Sequence, residues 1–334
     1  MSKILISDMP SNQLPQLRNF LAKVPQKPYR FLAGDPSEDL TSYWLSEIEE
    51  SINKNSGKAF IGIEQDNIVG FVAYADLPWE TGIMGKKMGA VKYLALDPDL
   101  PSKSEITGQL LEHTLEWAAS SQTEFLLCKA YTDDAVAIQS LERKGFLLVD
   151  TLLDYVYDYR KQHLKDSPDD RHYPGFQIRL ARPDDEDALI EISQKSFSGH
   201  FGRFHSDEMI SRRQATQIYV EWMRSSVHGY ADWILVAEIE DKVAGYSVWK
   251  KPSRLEQGLK NPVGHYSIAA IHPDYQGRGL FGALTLEGTK LFNGLAACVE
   301  GPTHVNNYPV QRGYEKLSWR IYDARHSFHK WLSR

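Results

Sequence analysis

The stretch HPDYQGRGLFGAL, His272 to Leu284, decides the fold of this chain. It follows an apolar run, Ile268 to Ile271, that is typical of a β-strand, and it leads into residues with helical apolar spacing. Gly277 and Gly279 allow the backbone to turn sharply and to point successive N–H groups outward at the positive end of a helix. Arg278 adds a positive charge suited to phosphate oxygens. The stretch predicts a strand, a phosphate-binding loop and a helix, with an ordinary strand-to-helix turn as the alternative.

Length and composition predict a globular protein of two domains. The chain has 334 residues, which is longer than one ordinary domain core accommodates. Its residues are 42% apolar and 25% charged, as in globular proteins. A net charge of −6 without a basic stripe argues against nucleic-acid binding and against acidic membranes. No run of about 18 apolar residues and no signal-peptide pattern occurs, so we expect a cytoplasmic protein without a membrane span.

The cysteines and histidines do not predict a metal site. Cys128 and Cys298 each lie in an apolar run, which favours buried thiols in a reducing compartment over a disulfide or a metal pair. The eleven histidines lack the ligand spacing of a zinc site.

The chain repeats itself. The segments Phe60–Tyr74 and Leu235–Trp249 resemble each other, and each predicts a β-hairpin with a short polar turn. Equivalent positions in the two hairpins are 175 residues apart, and the same offset brings LDPD at Leu96 onto IHPD at Ile271. We therefore infer a duplicated unit, with chance similarity of two hairpins as the alternative.

A later helix belongs to the same repeat. The segment Asp133–Phe146 resembles Asn306–Trp319, now at an offset of 173 residues. In the first copy Asp133 is the N-cap candidate and Gly145 the C-cap candidate of a helix. Each copy then runs helices, hairpin, strand, helix, strand, helix and strand, which predicts an α/β fold with a mixed central sheet flanked by helices.

The two copies are not chemically equal. We expect domains at residues 1–160 and 176–334, joined by a polar linker at residues 161–175. Where the second copy has the glycine loop, the first has Leu100–Gly108, without its glycines or arginine. The first copy is therefore predicted to be degenerate, a structural partner on the acceptor side and not a second active site.

The second half resembles the GCN5-related N-acetyltransferase (GNAT) family, and Phe60 to about Asp158 resembles it more weakly. The family binds acyl-coenzyme A at a loop of pattern Gln/Arg-x-x-Gly-x-Gly/Ala. The matching residues are Gln276, Gly277, Arg278, Gly279 and Leu280. Phe281 departs from the pattern, because its position calls for glycine or alanine.

The resemblance also implies roles for residues around the loop. Ala270 and Ile271 are expected along the pantetheine arm, and the strand at Ala296–Val299 is expected to splay from its neighbour and hold the thioester. Asn307 and Tyr314, seven residues apart, share one helix face. The resemblance implies that Asn307 bonds the pantetheine arm and that Tyr314 is the general acid for the departing thiolate. A buried tyrosine that only packs its ring is the alternative.

The tandem arrangement and the stretch from Ser196 to Met223 resemble the dTDP-amino-sugar N-acyltransferase group. This implies an acceptor that is a dTDP-linked amino-dideoxy sugar, of the kind built into surface polysaccharides such as lipopolysaccharide O-antigen. The candidate acceptor residues are Phe201, Arg203, Phe204, His205, Tyr219, Trp222 and, as a base, His326 or His329. An ordinary helix-packing loop and surface histidines are the alternatives.

We therefore predict direct acyl transfer in a ternary complex, with a backbone N–H near Ile271 stabilising the oxyanion. The partners are acyl-CoA and the sugar nucleotide, and no metal is needed. Alternatives are acylation of another small amine (an amino acid, polyamine or antibiotic) and a non-catalytic acyl-CoA sensor. The sequence leaves open whether the acyl group is acetyl or hydroxyacyl, which sugar amine reacts, which group is the base, and whether chains form a homodimer.

Overall fold

The fold is described from a computed structural model. It describes residues 4–10, 13–32, 37–54, 57–162 and 173–332, so most of the predicted linker lies outside the described residues. Contacts divide the chain into two compact units: Met1–Thr151 with Ala324–Arg334, and Leu152–Asp323.

The first unit contains a mixed sheet flanked by helices. Its strands are β1 (Leu5–Asp8), β2 (Lys58–Glu64), β3 (Asn67–Asp76), β4 (Met88–Leu96), β5 (Phe125–Tyr131) and most of β12 (Arg320–Trp331). Its helices are α1 (Leu14–Lys23), α2 (Ser37–Lys54), α3 (Pro78–Met84), α4 (Lys103–Ser120) and α5 (Ala135–Arg143). The strand order is β1-β2-β3-β4-β5-β12, parallel only between β4 and β5.

The second unit repeats this plan. Its strands are most of β6 (Leu147–Asp158), then β7 (Gln177–Leu180), β8 (Trp233–Ile239), β9 (Lys242–Lys250), β10 (Val263–Ile271) and β11 (Cys298–His304). Its helices are α6 (Glu186–Phe197), α7 (Arg212–Ser225), α8 (Leu280–Lys290) and α9 (Tyr308–Lys316). The order β7-β8-β9-β10-β11-β6 is parallel only between β10 and β11. The predicted fold class, a tandem of α/β units with mixed sheets, is confirmed.

In each unit, one strand comes from the part of the sequence that was predicted to belong to the other domain. Residues Leu152–Asp158 of β6 pair antiparallel with β11, and Arg325–Trp331 of β12 pair antiparallel with β5. The boundaries predicted at residues 160 and 176 assign both segments to the other unit, because sequence order carries no record of which neighbour a strand pairs with.

Both copies share details of register. The hairpin turns put Gln65 and Asp66, and likewise Glu240 and Asp241, at positive φ, as predicted for two tight turns. In both copies the strand that follows the hairpin carries a β-bulge, at Lys92 in β4 and at the equivalent Ser267 in β10. A shared irregularity at one register position supports the inferred duplication.

One predicted helix cap is wrong by one residue. The N-cap of α5 is Asp134, whose side chain accepts a hydrogen bond from the Ala137 N–H, and Asp133 instead pairs with Arg30. Gly145 follows the helix with a φ of 75°, as the C-terminal signal predicts.

Helices cover both faces of the second sheet. On one face α6 and α7 bury Tyr246, Val248 and Ile268. On the other face α8 and α9 pack over an aromatic core that includes Trp249 and Tyr266, stacked with 3.9 Å between ring centroids. The two faces of the sheet therefore differ, since the face under α8 and α9 carries the aromatic core.

Candidate active site

The glycine loop has the backbone shape of an anion cradle. Gly277 and Gly279 have φ values of 77° and 82°, and Gly279 is the N-cap of α8. No atom lies within 4 Å of where a Cβ would stand on either glycine, so the space above the loop is open. The first N–H groups of a helix have no intrahelical partner, so those following Gly279 are available to a diphosphate. A loop of this shape is suited to an anion such as a diphosphate.

The side chains of the loop leave this cradle accessible. Gln276 and Arg278 are exposed, and the Arg278 guanidinium lies 5.4 Å from the ring centroid of Tyr275. Leu280, by contrast, is buried and anchors the first turn of α8 in the core. The loop therefore presents one cation and its backbone amides, while the helix that carries them is fixed.

Phe281, the residue that departs from the family pattern, is accommodated by a glycine on the neighbouring helix. A Cβ on Gly313 of α9 would lie 2.6 Å from Phe281 Cε1, so the phenyl ring occupies the space of a missing side chain. The ring also meets that of Tyr314 edge-on at 5.7 Å. Its side chain thus joins α8 to α9 instead of filling the cradle.

A slot opens between β10 and β11 after three paired rungs. Val263, Gly264 and His265 pair with Cys298, Val299 and Glu300, and no register follows although both strands continue. The family resemblance implies an opening at Ala296–Val299. That placement is wrong, because the first two residues of β11 are paired and the splay begins beyond Glu300.

The β10 residues predicted along the pantetheine arm lie on the open side of this slot. Ala270 is buried and Ile271 half-buried, and both are in register with β9. The bulge at Ser267 leaves a residue out of the ladder in the same stretch. Its N–H is a second candidate for the oxyanion, and sequence reasoning missed it because Ser267 and its counterpart Lys92 share no chemical signature.

Tyr314 lies in the wall of the slot. Its hydroxyl is 2.7 Å from the position that a Cβ on Gly301 of β11 would take, so it points at the strand just beyond the last paired rung. The ring is 3% exposed and stacks on Trp319 at 4.9 Å. Burial raises the pKa of Tyr314 well above its usual value, so the phenol keeps its proton at neutral pH. This is the form that a general acid requires.

Asn307 stands at the start of the helix that carries Tyr314. It is the N-cap of α9 but makes no capping bond, and its amide nitrogen donates to Thr303 Oγ1 at 3.2 Å. Pro309 falls in the first turn, where it costs no hydrogen bond. The first copy differs: Asp134 caps its own helix, and buried Leu141 replaces the tyrosine.

The predicted acceptor residues lie on or beside the segment between α6 and α7. Phe201 is 42% exposed, whereas Phe204 is 2% exposed and carries the Arg203 guanidinium over its ring at 4.8 Å. Tyr219 is buried against Phe197, with ring centroids 4.3 Å apart. Burial suits Phe204 and Tyr219 to packing, so Phe201 is the aromatic ring available to a ligand.

Ring contacts join this segment to the end of β11. His200 lies 4.9 Å from the ring of His304 and 5.7 Å from that of His205. Burial lowers the pKa of His205, and the charge of Arg212 adds to the effect, so His205 stays neutral. Neither His200 nor His304 was singled out from the sequence, because the contact joins residues about a hundred positions apart.

The remaining candidates lie elsewhere. Trp222 is partly buried beside the core under α7. His326 belongs to the first unit, where its Nδ1 lies 2.9 Å from Thr151 Oγ1, and His329 is 1% exposed against Phe125 in the same unit. The expectation that His329 is a surface histidine is wrong, since β12 buries it in the first sheet.

A polar cleft of 770 Å³ lies beside α6 and reaches His272, Asp274 and Tyr275, but none of the predicted site residues lines it. Among the described residues, no three His, Cys, Asp or Glu side chains are arranged to hold a metal ion. Within the same ranges, no helix has the length and apolarity to cross a bilayer.

Comparison with known proteins gives a family match for one copy and a fold match for the whole chain. Residues 21–146 match the model of the acetyltransferase (GNAT) family, so the match falls in the copy that the sequence analysis treats as degenerate. The fold of the whole chain is that of a GCN5-related N-acetyltransferase from Sphaerobacter thermophilus, with 14% identity, a TM-score of 0.65, and coverage of 99% of this chain and 96% of that one. A tandem GNAT protein from the clavulanic acid biosynthesis pathway has the same fold, with 15% identity, a TM-score of 0.60 and 99% coverage of both chains.

Two further relatives carry more specific names. The spore coat polysaccharide biosynthesis protein SpsD of Bacillus subtilis (strain 168) is 24% identical, over 80% of this chain and 86% of its own length. A GCN5-related glucosamine N-acetyltransferase region in a fungal multi-domain GH3 β-N-acetylglucosaminidase is 13% identical with a TM-score of 0.66, covering 99% of this chain and 38% of that one.

The family match identifies an acetyltransferase (GNAT) domain at residues 21–146, and the whole chain has the fold of the tandem GNAT protein.

Proposed function

We propose that this protein transfers an acyl group from acyl-CoA to the amino group of a nucleotide-linked amino-dideoxy sugar of the dTDP type. The observation that carries the proposal is the similarity to SpsD, which is named for polysaccharide biosynthesis and aligns along most of both chains. The glucosamine N-acetyltransferase region has the same fold and is named for an amino sugar, but its low identity bears on the fold alone. Surface polysaccharide assembly, in the cytoplasm, is the proposed setting.

The second unit supplies the acyl-CoA side of the reaction. The amides after Gly277 and Gly279, with Arg278, are suited to the pyrophosphate, and Asn307 to the pantetheine amides. The thioester lies in the slot, where an N–H at Ser267 or Ile271 stabilises the oxyanion. Tyr314 protonates the departing thiolate. No nucleophilic side chain is required, and Cys298 is explained by burial in β11.

The segment between α6 and α7 supplies the acceptor side. The exposed ring of Phe201 is suited to stacking on thymine, and Arg203 to pairing with a diphosphate. These contacts belong to the same unit as the slot, so one unit contains the residues for both substrates.

Only the second unit is proposed to bind acyl-CoA, although the family model matches the first. At the first unit's equivalent of the loop, Leu100 is buried, and the Asp97 carboxylate accepts the Asp99 N–H. Glu105 puts a carboxylate in the first turn of α4, where it repels a diphosphate, and no glycine lies at residues 97–104 to open the backbone. Calorimetry should therefore give one acyl-CoA per chain, and Arg278→Ala should weaken that single event. Two binding events would place acyl-CoA in the first unit as well, and a single event that Arg278→Ala leaves unaffected would place it in the first unit instead.

The experiment that tests the function is a thiol-release assay with acetyl-CoA and 3-hydroxybutanoyl-CoA against a panel of amines. The panel contains dTDP-amino sugars with the amine at C3 or C4, glucosamine, amino acids, polyamines and aminoglycosides. Release with dTDP-amino sugars alone is expected. Activity restricted to another amine would refute the sugar assignment, and binding of acyl-CoA without thiol release on any acceptor would make the protein a sensor.

A further inference from the structure

The second unit contains a partly buried charged triad that the proposed reaction does not use. His265 of β10 hydrogen-bonds Glu256 Oε1 through Nε2 at 2.8 Å and Glu300 Oε1 through Nδ1 at 3.0 Å. Glu256 lies in the connection from β9 to β10 and also accepts the Ser253 N–H. The side chains of His265 and Glu300 are 22% and 20% exposed, so a ligand can reach that end of the triad.

The triad lies at the mouth of the slot. His265 and Glu300 form the last paired rung of β10 and β11, and the strands separate immediately beyond it. The next residue, Gly301, faces the Tyr314 hydroxyl. Since successive residues of a strand point to opposite faces, Glu300 and Tyr314 flank the opening from opposite sides of the sheet. An acceptor arriving on the Glu300 side meets the thioester between them.

The first copy shows that the fold does not need these charges. The equivalent rung there joins Ala90 of β4 to Leu127 of β5, two residues before the bulge as in the second copy, and one further rung, Val91 to Cys128, follows it. Partly buried ion pairs are commonly no more stabilising than apolar residues of similar volume. A charged rung that is present only in the copy with the glycine loop therefore points to a role in function.

The charge balance of the triad suits an amine. Burial alone lowers the pKa of His265, but its hydrogen bonds to Glu256 and Glu300 outweigh burial and raise that pKa to about 10. The imidazole is thus a fixed cation that holds two carboxylates in place, and the triad as a whole carries one negative charge in excess. Such a site attracts an ammonium group, which is the form of an amino sugar at neutral pH.

We propose that Glu300 binds the ammonium group of the acceptor and takes its proton, with His265 and Glu256 as positioning residues. This inference rests on the proposed function. One N–H proton moves to the Glu300 carboxylate, and the freed nitrogen lone pair forms the N–C bond while the carbonyl π pair moves to oxygen. As the intermediate collapses, the C–S bond breaks and the thiolate takes the phenolic proton of Tyr314. The second proton of the nitrogen then restores Tyr314 through solvent, and Glu300 releases its proton to water.

The decisive variant is Glu300→Gln, because glutamine keeps an acceptor oxygen for His265 but cannot take a proton. With the amine found active in the thiol-release panel, kcat/KM at pH 7 should fall by about 100-fold or more, while the Kd of acyl-CoA stays within twofold. The deficit should narrow as pH rises, because free amine then forms without the carboxylate. Glu112→Gln is the matched control, since this exposed carboxylate pairs with Lys144 in the first unit, and its activity should be unchanged.

A second variant tests whether the triad is only structural. His265→Ala with Glu300→Leu and Glu256→Gln copies the apolar rung of the first unit, so it should fold and bind acyl-CoA but not transfer. Turnover of Glu300→Gln within threefold of the wild type, or a deficit that does not change with pH, would overturn the proposal. So would a parallel loss of acyl-CoA binding. Failure of the wild-type protein to release thiol with any amine would instead refute the proposed function.

Discussion

Replacing Gly279 by alanine isolates the backbone shape of the loop from its contacts. Gly279 has a φ of 82°, and no atom lies within 4 Å of the added Cβ, so the only cost is conformational. A non-glycine residue in the left-handed region costs about 1–2 kcal/mol. Gly282, three residues on in α8, also has no atom within 4 Å of an added Cβ, but it lies in helical conformation. Alanine there should stabilise the helix by about 0.5–1 kcal/mol.

The two substitutions therefore add the same methyl group, but Gly279→Ala is expected to lower the free energy of unfolding and Gly282→Ala to raise it. Urea unfolding without ligand should separate Gly279→Ala from Gly282→Ala by about 1.5–3 kcal/mol. If the substituted loop relaxes in the absence of ligand, the cost appears on binding instead, as an affinity for acyl-CoA that is about 5- to 30-fold weaker. The sum of the losses in stability and in binding should in either case be about 1–2 kcal/mol for Gly279→Ala. A variant that matches the wild type in both measurements would refute the cradle geometry at Gly279.

Three further substitutions test the packing and charges around the slot. Tyr314→Phe keeps the ring contacts with Trp319, so the free energy of unfolding and the Kd of acyl-CoA should not change. The kcat should fall about 10²- to 10⁴-fold, because the general acid is lost. An unchanged kcat would exclude the phenol from the chemistry. Gly313→Ala should cost about 1–3 kcal/mol through its clash with Phe281, and almost nothing in a Phe281→Ala background; equal costs in the two backgrounds would contradict the complementarity of this pair. The folded-state pKa of His265, about 10, lies above its unfolded value, so its stabilisation is complete below about pH 6.5 and is lost as pH rises through 10. Urea unfolding across this range should show the decline in the wild type and a smaller one in His265→Gln, and identical pH profiles would count against the triad.

Local sequence signals were sufficient wherever a few neighbouring residues fix the backbone. The glycines at 277 and 279 adopt the positive φ expected of them, and the hairpin turns fall at the expected polar residues. The spacing of Asn307 and Tyr314 places both on α9, as the helical period requires. The unequal copies of the repeat are also visible in the sequence, because Leu100–Gly108 lacks the glycine and arginine of its counterpart.

Packing between distant segments decided the rest. The sequence does not indicate that β12 pairs with β5 and β6 with β11, since exchanging these two pairings leaves the order of elements unchanged. Phe281 is an anomaly in its own helix and is explained only by the absent side chain at Gly313 of α9.

The sequence by itself therefore determined the repeat, the class of the fold and the loop at Gln276–Leu280, because each depends on residues close together in the chain. The tertiary structure decided where the slot opens and which groups stand at its mouth. His265 and Glu300 are 35 residues apart and meet only because β10 and β11 pair in one particular register before they separate. Register between parallel strands is set by long-range packing, which no local pattern encodes.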